Sequence, residues 1–76
     1  MALDHALVNR LRGALIFDPH VDADSIVVSG DDEGRVTLSG VVGSLRERRE
    51  AERTVDRVLG VVDVDNRLRV SSGRPR

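Results

Sequence analysis

Residues 35–70 read RVTLSGVVGSLRERREAERTVDRVLGVVDVDNRLRV, and the fold turns on them. In Arg35 to Val42, Val36, Leu38, Gly40 and Val42 fall on one side and Arg35, Thr37, Ser39 and Val41 on the other. That period of two marks a half-buried strand. Ser44-Leu45-Arg46-Glu47 then has the form of a capping box, in which the Ser hydroxyl accepts from the third helical N–H and Glu47 reaches back to the Ser44 N–H. The predicted helix runs from Ser44 to about Leu59, with Leu45, Ala51, Val55, Val58 and Leu59 on one face. Gly60 stands where a left-handed C-cap is expected. Beyond it Val62, Val64, Leu68 and Val70 share one face of another strand, and Asp63, Asp65, Arg67 and Arg69 take the other. A strand, a helix and a returning strand form a βαβ unit, whose crossover is right-handed and whose two strands run parallel.

Upstream, Leu3, Leu7, Leu11, Ala14 and Leu15 recur at helical spacing and predict a first helix over 4–16, with Asp4 available to cap it. Gly13 weakens that helix by about 1 kcal/mol relative to Ala, and Asp18-Pro19 ends it because the residue before Pro avoids the α region. DPHVDAD reads as a loop. Ile26 and Val28 alternate with Val27 and Ser29 in a short strand, and the Gly30–Gly34 turn joins it to Arg35 as a hairpin. The order is helix, strand, strand, helix, strand. The expected fold is α+β: a single αββαβ domain over residues 1–70, with a three-stranded mixed sheet and two helices packed on one face. Residues 71–76, SSGRPR, read as a flexible polar tail.

A chain of 76 residues without an internal repeat suffices for one domain and no second. Its core must come from Val, Leu, Ile and Ala, since Phe17 is the only aromatic residue. So small a core leaves stability marginal or supplemented by self-association, which keeps a homo-oligomer open. The absence of Cys excludes disulfides and thiolate-bound metals. A net charge of −1 makes nucleic acid an unsuitable partner, because neutralising phosphates needs a positive surplus. All 12 basic residues are Arg. Asp4, His5, Asn9, Arg10 and Arg12 interrupt the leading apolar run, so no export signal is visible, and no stretch is long enough to be a transmembrane segment. With Met1 as the natural start, the expected location is cytoplasmic or membrane-peripheral; if the sequence is trimmed, the cell envelope.

The run Val36-Thr37-Leu38-Ser39-Gly40-Val41-Val42 with Ser44 after it, then Arg48, Ala51 and Val58, then Leu59-Gly60-Val61-Val62-Asp63-Val64-Asp65-Asn66-Arg67-Leu68-Arg69-Val70, resembles the BON domain, named for bacterial osmotic-stress and nodulation proteins. The upstream LRGAL and VDADSIVV segments resemble its first helix and first strand, so the likeness spans roughly residues 3–70. The resemblance implies a phospholipid- or membrane-associated binding module in several cases, a potassium-responsive one in others, and often an accessory domain of an osmotic-stress or envelope protein. It implies no catalysis, and no cofactor is expected. Many members are exported and carry two copies, whereas this sequence shows one copy.

Candidate sites follow from charge and turn chemistry. Arg10 and Arg12 in the first helix, with Arg67, Arg69, Arg74 and Arg76 near the C-terminus, form a basic set suited to anionic lipid head groups. Gly40 and Gly43 with Ser44 lead into the second helix, whose free N–H groups suit a phosphate or carboxylate; Glu47 competes for them. Residues 18–33 hold six acids and no Lys or Arg, so Asp22, Asp24, Asp31 and Asp32 are candidates for potassium or calcium, with solvated loop charge as the plainer reading. Arg48 and Asn66 fall in inward phases of their elements and read as structural hydrogen-bonding positions, Arg48 snorkelling or paired with an acid. His5 and His20 show no third ligand at metal spacing and read as surface residues, so no metal site is expected. No Gly-x-Ser-x-Gly elbow is present, and neither Ser39 nor Ser44 has an evident His partner, which points away from an enzyme.

Overall fold

The structure is a computed structural model and describes residues 5–71. Asp4, Arg74, Arg76 and the tail from 72 onward lie outside the described residues. Helix α1 spans His5–Phe17, a short 3-10 turn Ala23–Ser25, strand β1 Ile26–Gly30, β2 Arg35–Val42, helix α2 Leu45–Asp56, β3 Asp63–Asn66 and β4 Arg69–Val70. β2 is the central strand. β1 pairs with it antiparallel, Val28 opposite Leu38. β3 and β4 both run parallel to β2, along its other edge. The chain is thus an α+β domain with two helices and a mixed four-stranded sheet, in αββαββ order.

One expected strand is two. Arg35 faces Asp63, and farther along Val41 faces Arg69, so β3 and β4 keep one register and the ladder lapses only at Arg67-Leu68. The lapse lies alongside Ser39-Gly40 of β2, where Gly40 has φ +121, a value L side chains rarely adopt. An added Cβ at Gly40 would run into the Ser25 carbonyl oxygen, so the missing side chain is what lets the start of β1 close on β2.

The core is Leu7, Leu11 and Leu15 of α1, Ala51 and Val55 of α2, and Ile26, Val36, Leu38, Val42 and Leu68 of the sheet, with Val21 from the loop. Both helices therefore cover the face carrying Val36, Leu38 and Val42. α2 ends at Asp56, three residues short of the expected Leu59. Leu59 is 88 % exposed, and Leu45 and Val62 are exposed too, so the predicted apolar faces are too long at these ends. After Arg57 the backbone folds into turns closed by the Val58 and Val61 N–H groups on the Val55 and Val58 carbonyls. Gly60 has the positive φ of 103 expected of it, but within that turn rather than as the residue capping α2. The loop before β1 contains the 3-10 turn because the Asp22 carboxylate accepts from the Asp24 N–H.

Candidate functional site

The Gly-rich lead into α2 is closed by the chain itself. Ser44 Oγ accepts from the Glu47 N–H at 3.0 Å. The Glu47 carboxylate accepts from the Gly43 N–H at 2.9 Å, rather than from Ser44, and from the Asp22 N–H at 2.8 Å. An outside anion at this helix start must displace that carboxylate. Gly40 contributes close packing against Ser25.

The acids of residues 18–33 do not converge. Asp22 and Asp31 sit at opposite ends of β1, each organising its own turn. Asp22 accepts from the Asp24 N–H and the Ser25 hydroxyl. Asp31 accepts from the N–H groups of Glu33 and Arg35. The Arg35 N–H and, against the pull of desolvation, the Glu33 N–H and the Arg35 charge hold the Asp31 carboxyl below its ordinary range. Asp24 and Asp32 are exposed.

Arg48 and Asn66 meet across the lapse in the outer strand. The guanidinium donates to the Leu68 carbonyl at 2.9 Å and to the Asn66 carbonyl at 3.1 Å. Asn66 donates from its amide to the Arg48 carbonyl and the Glu52 carboxylate, and accepts from the Leu68 N–H. Arg48 thus serves backbone carbonyls rather than an acid, and the pair braces α2 against the strand where the ladder is interrupted.

The basic residues divide by surroundings. Arg67 is tied to Asp65 at 2.8 Å, on a helix-free sheet face that also carries Asp63 and Arg69. That face is mixed in sign. Helix α1 differs: residues 5–17 contain no acid. With Leu7, Leu11 and Leu15 turned inward, the 3.6-residue period puts Arg10 and Arg12 on opposite flanks and Ala6, Asn9, Gly13, Ile16 and Phe17 outward between them. Ile16 is 67 % and Phe17 86 % exposed. Arg10 also donates to the Leu59 carbonyl at 3.2 Å, which steadies its side chain along this flank.

A further cluster forms where α1 meets α2. Asp18, just past α1, has a side chain only 7 % exposed, and its Oδ2 accepts from the Thr54 hydroxyl at 2.5 Å. Its Oδ1 accepts from the His20 N–H at 2.9 Å and lies 3.5 Å from His20 Nδ1. Glu50, one turn before Thr54 on α2, completes a group in which one ligand atom each from Asp18, His20 and Glu50 lies within 4.8 Å of the others. Burial pushes the Asp18 carboxyl up, but the Thr54 and His20 hydrogen bonds, with smaller help from Glu50 and the His20 charge, hold it below its ordinary range. An open groove lined by Phe17, Pro19, Arg57 and Val58 exposes the group. Sequence reasoning left His20 without a third ligand. Asp18-Pro19-His20 was visible as a local pair, but Glu50 arrives only through the packing of α2 against α1.

Among the described residues, no helix is long and apolar enough to cross a membrane. A family model for the BON domain matches residues 4–72, nearly the whole chain. No curated protein matches it.

Proposed function

Since the chain belongs to the BON family, we propose that it is a non-catalytic binding module that docks on anionic phospholipid surfaces, in a membrane-peripheral setting, through the outward face of α1. The observation that carries this reading is an exposed helix face free of acids, with Ile16 and Phe17 between two flanking Arg side chains. Such a face can lower its apolar tip to the acyl boundary while the guanidinium groups reach phosphates on either side. Two basic residues contribute about 1 kcal/mol each near an anionic membrane, so single-domain binding is weak and salt-sensitive.

The test is co-sedimentation with vesicles of phosphatidylcholine, with and without phosphatidylglycerol, at low ionic strength. Binding should need the anionic lipid, weaken with salt, and fall roughly tenfold or more in Arg12→Glu and in Phe17→Ser. No binding at low salt, or equal binding to the neutral vesicles, would remove the proposal. A non-catalytic role is the reading we adopt for the cluster, among the described residues, in which a hydroxyl meets a carboxylate beside an imidazole. There Thr54 donates to Asp18, and the hydroxyl is not handed to a histidine base.

A protein partner is the second reading. On the helix-free sheet face Val27 and Val41 are exposed diagonal neighbours among Ser29, Thr37 and Ser39. Val41→Asp would weaken such a contact and leave vesicle binding intact.

A further inference from the structure

We propose that Asp18, His20 and Glu50 form a binding site for a borderline divalent transition metal of the zinc type, open to solvent along the groove between α1 and α2. Its three ligands are not side chains of the lipid reading, and its test needs no membrane.

The ligand set selects the metal class. One imidazole nitrogen and two carboxylates suit Zn2+ or a similar first-row dication, whereas calcium and magnesium favour all-oxygen shells. Two carboxylates with a neutral imidazole offer a charge of −2, which such an ion cancels. The spacing is close to what coordination demands. Ligand atoms about 2.1 Å from a tetrahedral ion lie about 3.4 Å apart, and here they lie within 4.8 Å of one another. His20, with a side chain 72 % exposed, has room to swing inward, and it sits on a turn already fixed by Pro19 and by its own N–H on Asp18.

The support around the ligands is built from this chain. Asp18 is held from both sides, by the Thr54 hydroxyl on Oδ2 and the His20 N–H on Oδ1, which is the kind of outer contact that orients a ligating carboxylate. Thr54 and Glu50 lie one turn apart on α2, so the element that supplies the third ligand also supplies the orienting hydroxyl. Arg57 lines the same groove, yet its Nε is turned to the Arg53 carbonyl of its own helix at 3.4 Å. With three protein ligands, the remaining positions on the ion face water.

The experiment uses the full chain without a histidine tag, titrated with ZnCl2 by calorimetry and followed by thermal melting, with MgCl2 at equal concentration alongside. Zinc should bind at one equivalent and raise the melting temperature, magnesium should do neither, and Co2+ should give a visible ligand-field spectrum. His20→Ala, at an exposed residue whose loss spares the core, should weaken zinc binding at least about tenfold. Glu50→Gln should do the same, and His5→Ala should bind as the parent does. Zinc binding unchanged in His20→Ala, no binding by the parent chain, or an equal response to magnesium would each overturn the assignment.

Discussion

Replacing Gly40 with Ala should destabilise the domain sharply, while the same replacement at Gly13 should stabilise it. At Gly40 the backbone sits at φ +121 and the new methyl meets the Ser25 carbonyl oxygen. A sparsely populated backbone conformation costs about 1–3 kcal/mol, and displacing a packed neighbour costs about 1–3 kcal/mol more, so Gly40→Ala should lose about 2–6 kcal/mol. Chains of this size have about 4–11 kcal/mol in total, so the variant is close to unfolding. At Gly13, inside α1, a Cβ meets nothing within 4 Å. There Ala gains up to about 1 kcal/mol from helix propensity and a stiffer unfolded chain. Urea denaturation followed by circular dichroism reads both changes on one scale, with the midpoints moving in opposite directions. A Gly40→Ala midpoint equivalent to less than about 0.5 kcal/mol of loss, the range of a surface substitution, would refute the close-packing account. Were stability unchanged and vesicle binding lost, Gly40 would belong to an anion site instead.

Two other perturbations address the brace and the hairpin. Arg48→Met removes charge-assisted hydrogen bonds to the Asn66 and Leu68 carbonyls and should cost about 2–4 kcal/mol; urea midpoints together with amide exchange at Leu68 would check it, and unchanged exchange would contradict the bracing role. The Asp31 carboxyl is held below its ordinary value near 3.8, chiefly by the Arg35 N–H, so its contribution is complete above that value and is lost as pH falls through the lower folded one. Asp31→Asn should therefore melt lower than the parent at neutral pH, with the gap closing in acid, and a gap constant with pH would sink the linkage.

The central strand was legible because Val36, Leu38 and Val42 alternate with Arg35, Thr37 and Ser39, and its bounds in the structure are those read from the sequence. The end of α2 was not. Val58 and Leu59 continue the apolar phase of Leu45, Ala51 and Val55, but periodicity carries no information on where the sheet stops offering a surface. Leu59 lies past that limit and points to solvent. The split of the outer strand was hidden for a different reason. It lies alongside Ser39-Gly40 of β2, neighbours in space rather than in sequence, where Arg48 takes the carbonyls of Asn66 and Leu68. The candidate sites follow the same division. Arg10 and Arg12 were visible as charges, but the acid-free surface between them required knowing which face Leu7, Leu11 and Leu15 bury. Asp18 and His20 are two positions apart, but Glu50 reaches them only across the α1–α2 contact.

Phe17 ties the two surfaces together. It is the most exposed apolar residue of α1, and it also lines the groove that holds Asp18, His20 and Glu50. With the carboxylates ionised and no ion between them, negative charge stands beside the residue that would enter the membrane, and an anionic surface repels it. Arg10 and Arg12 supply attraction from the flanks, about 1 kcal/mol per charge, and Arg57 lines the groove itself. An ion bound in the groove would change the balance of charge there, because it would cancel the two carboxylates. The position of the cluster matters as much as its ligands.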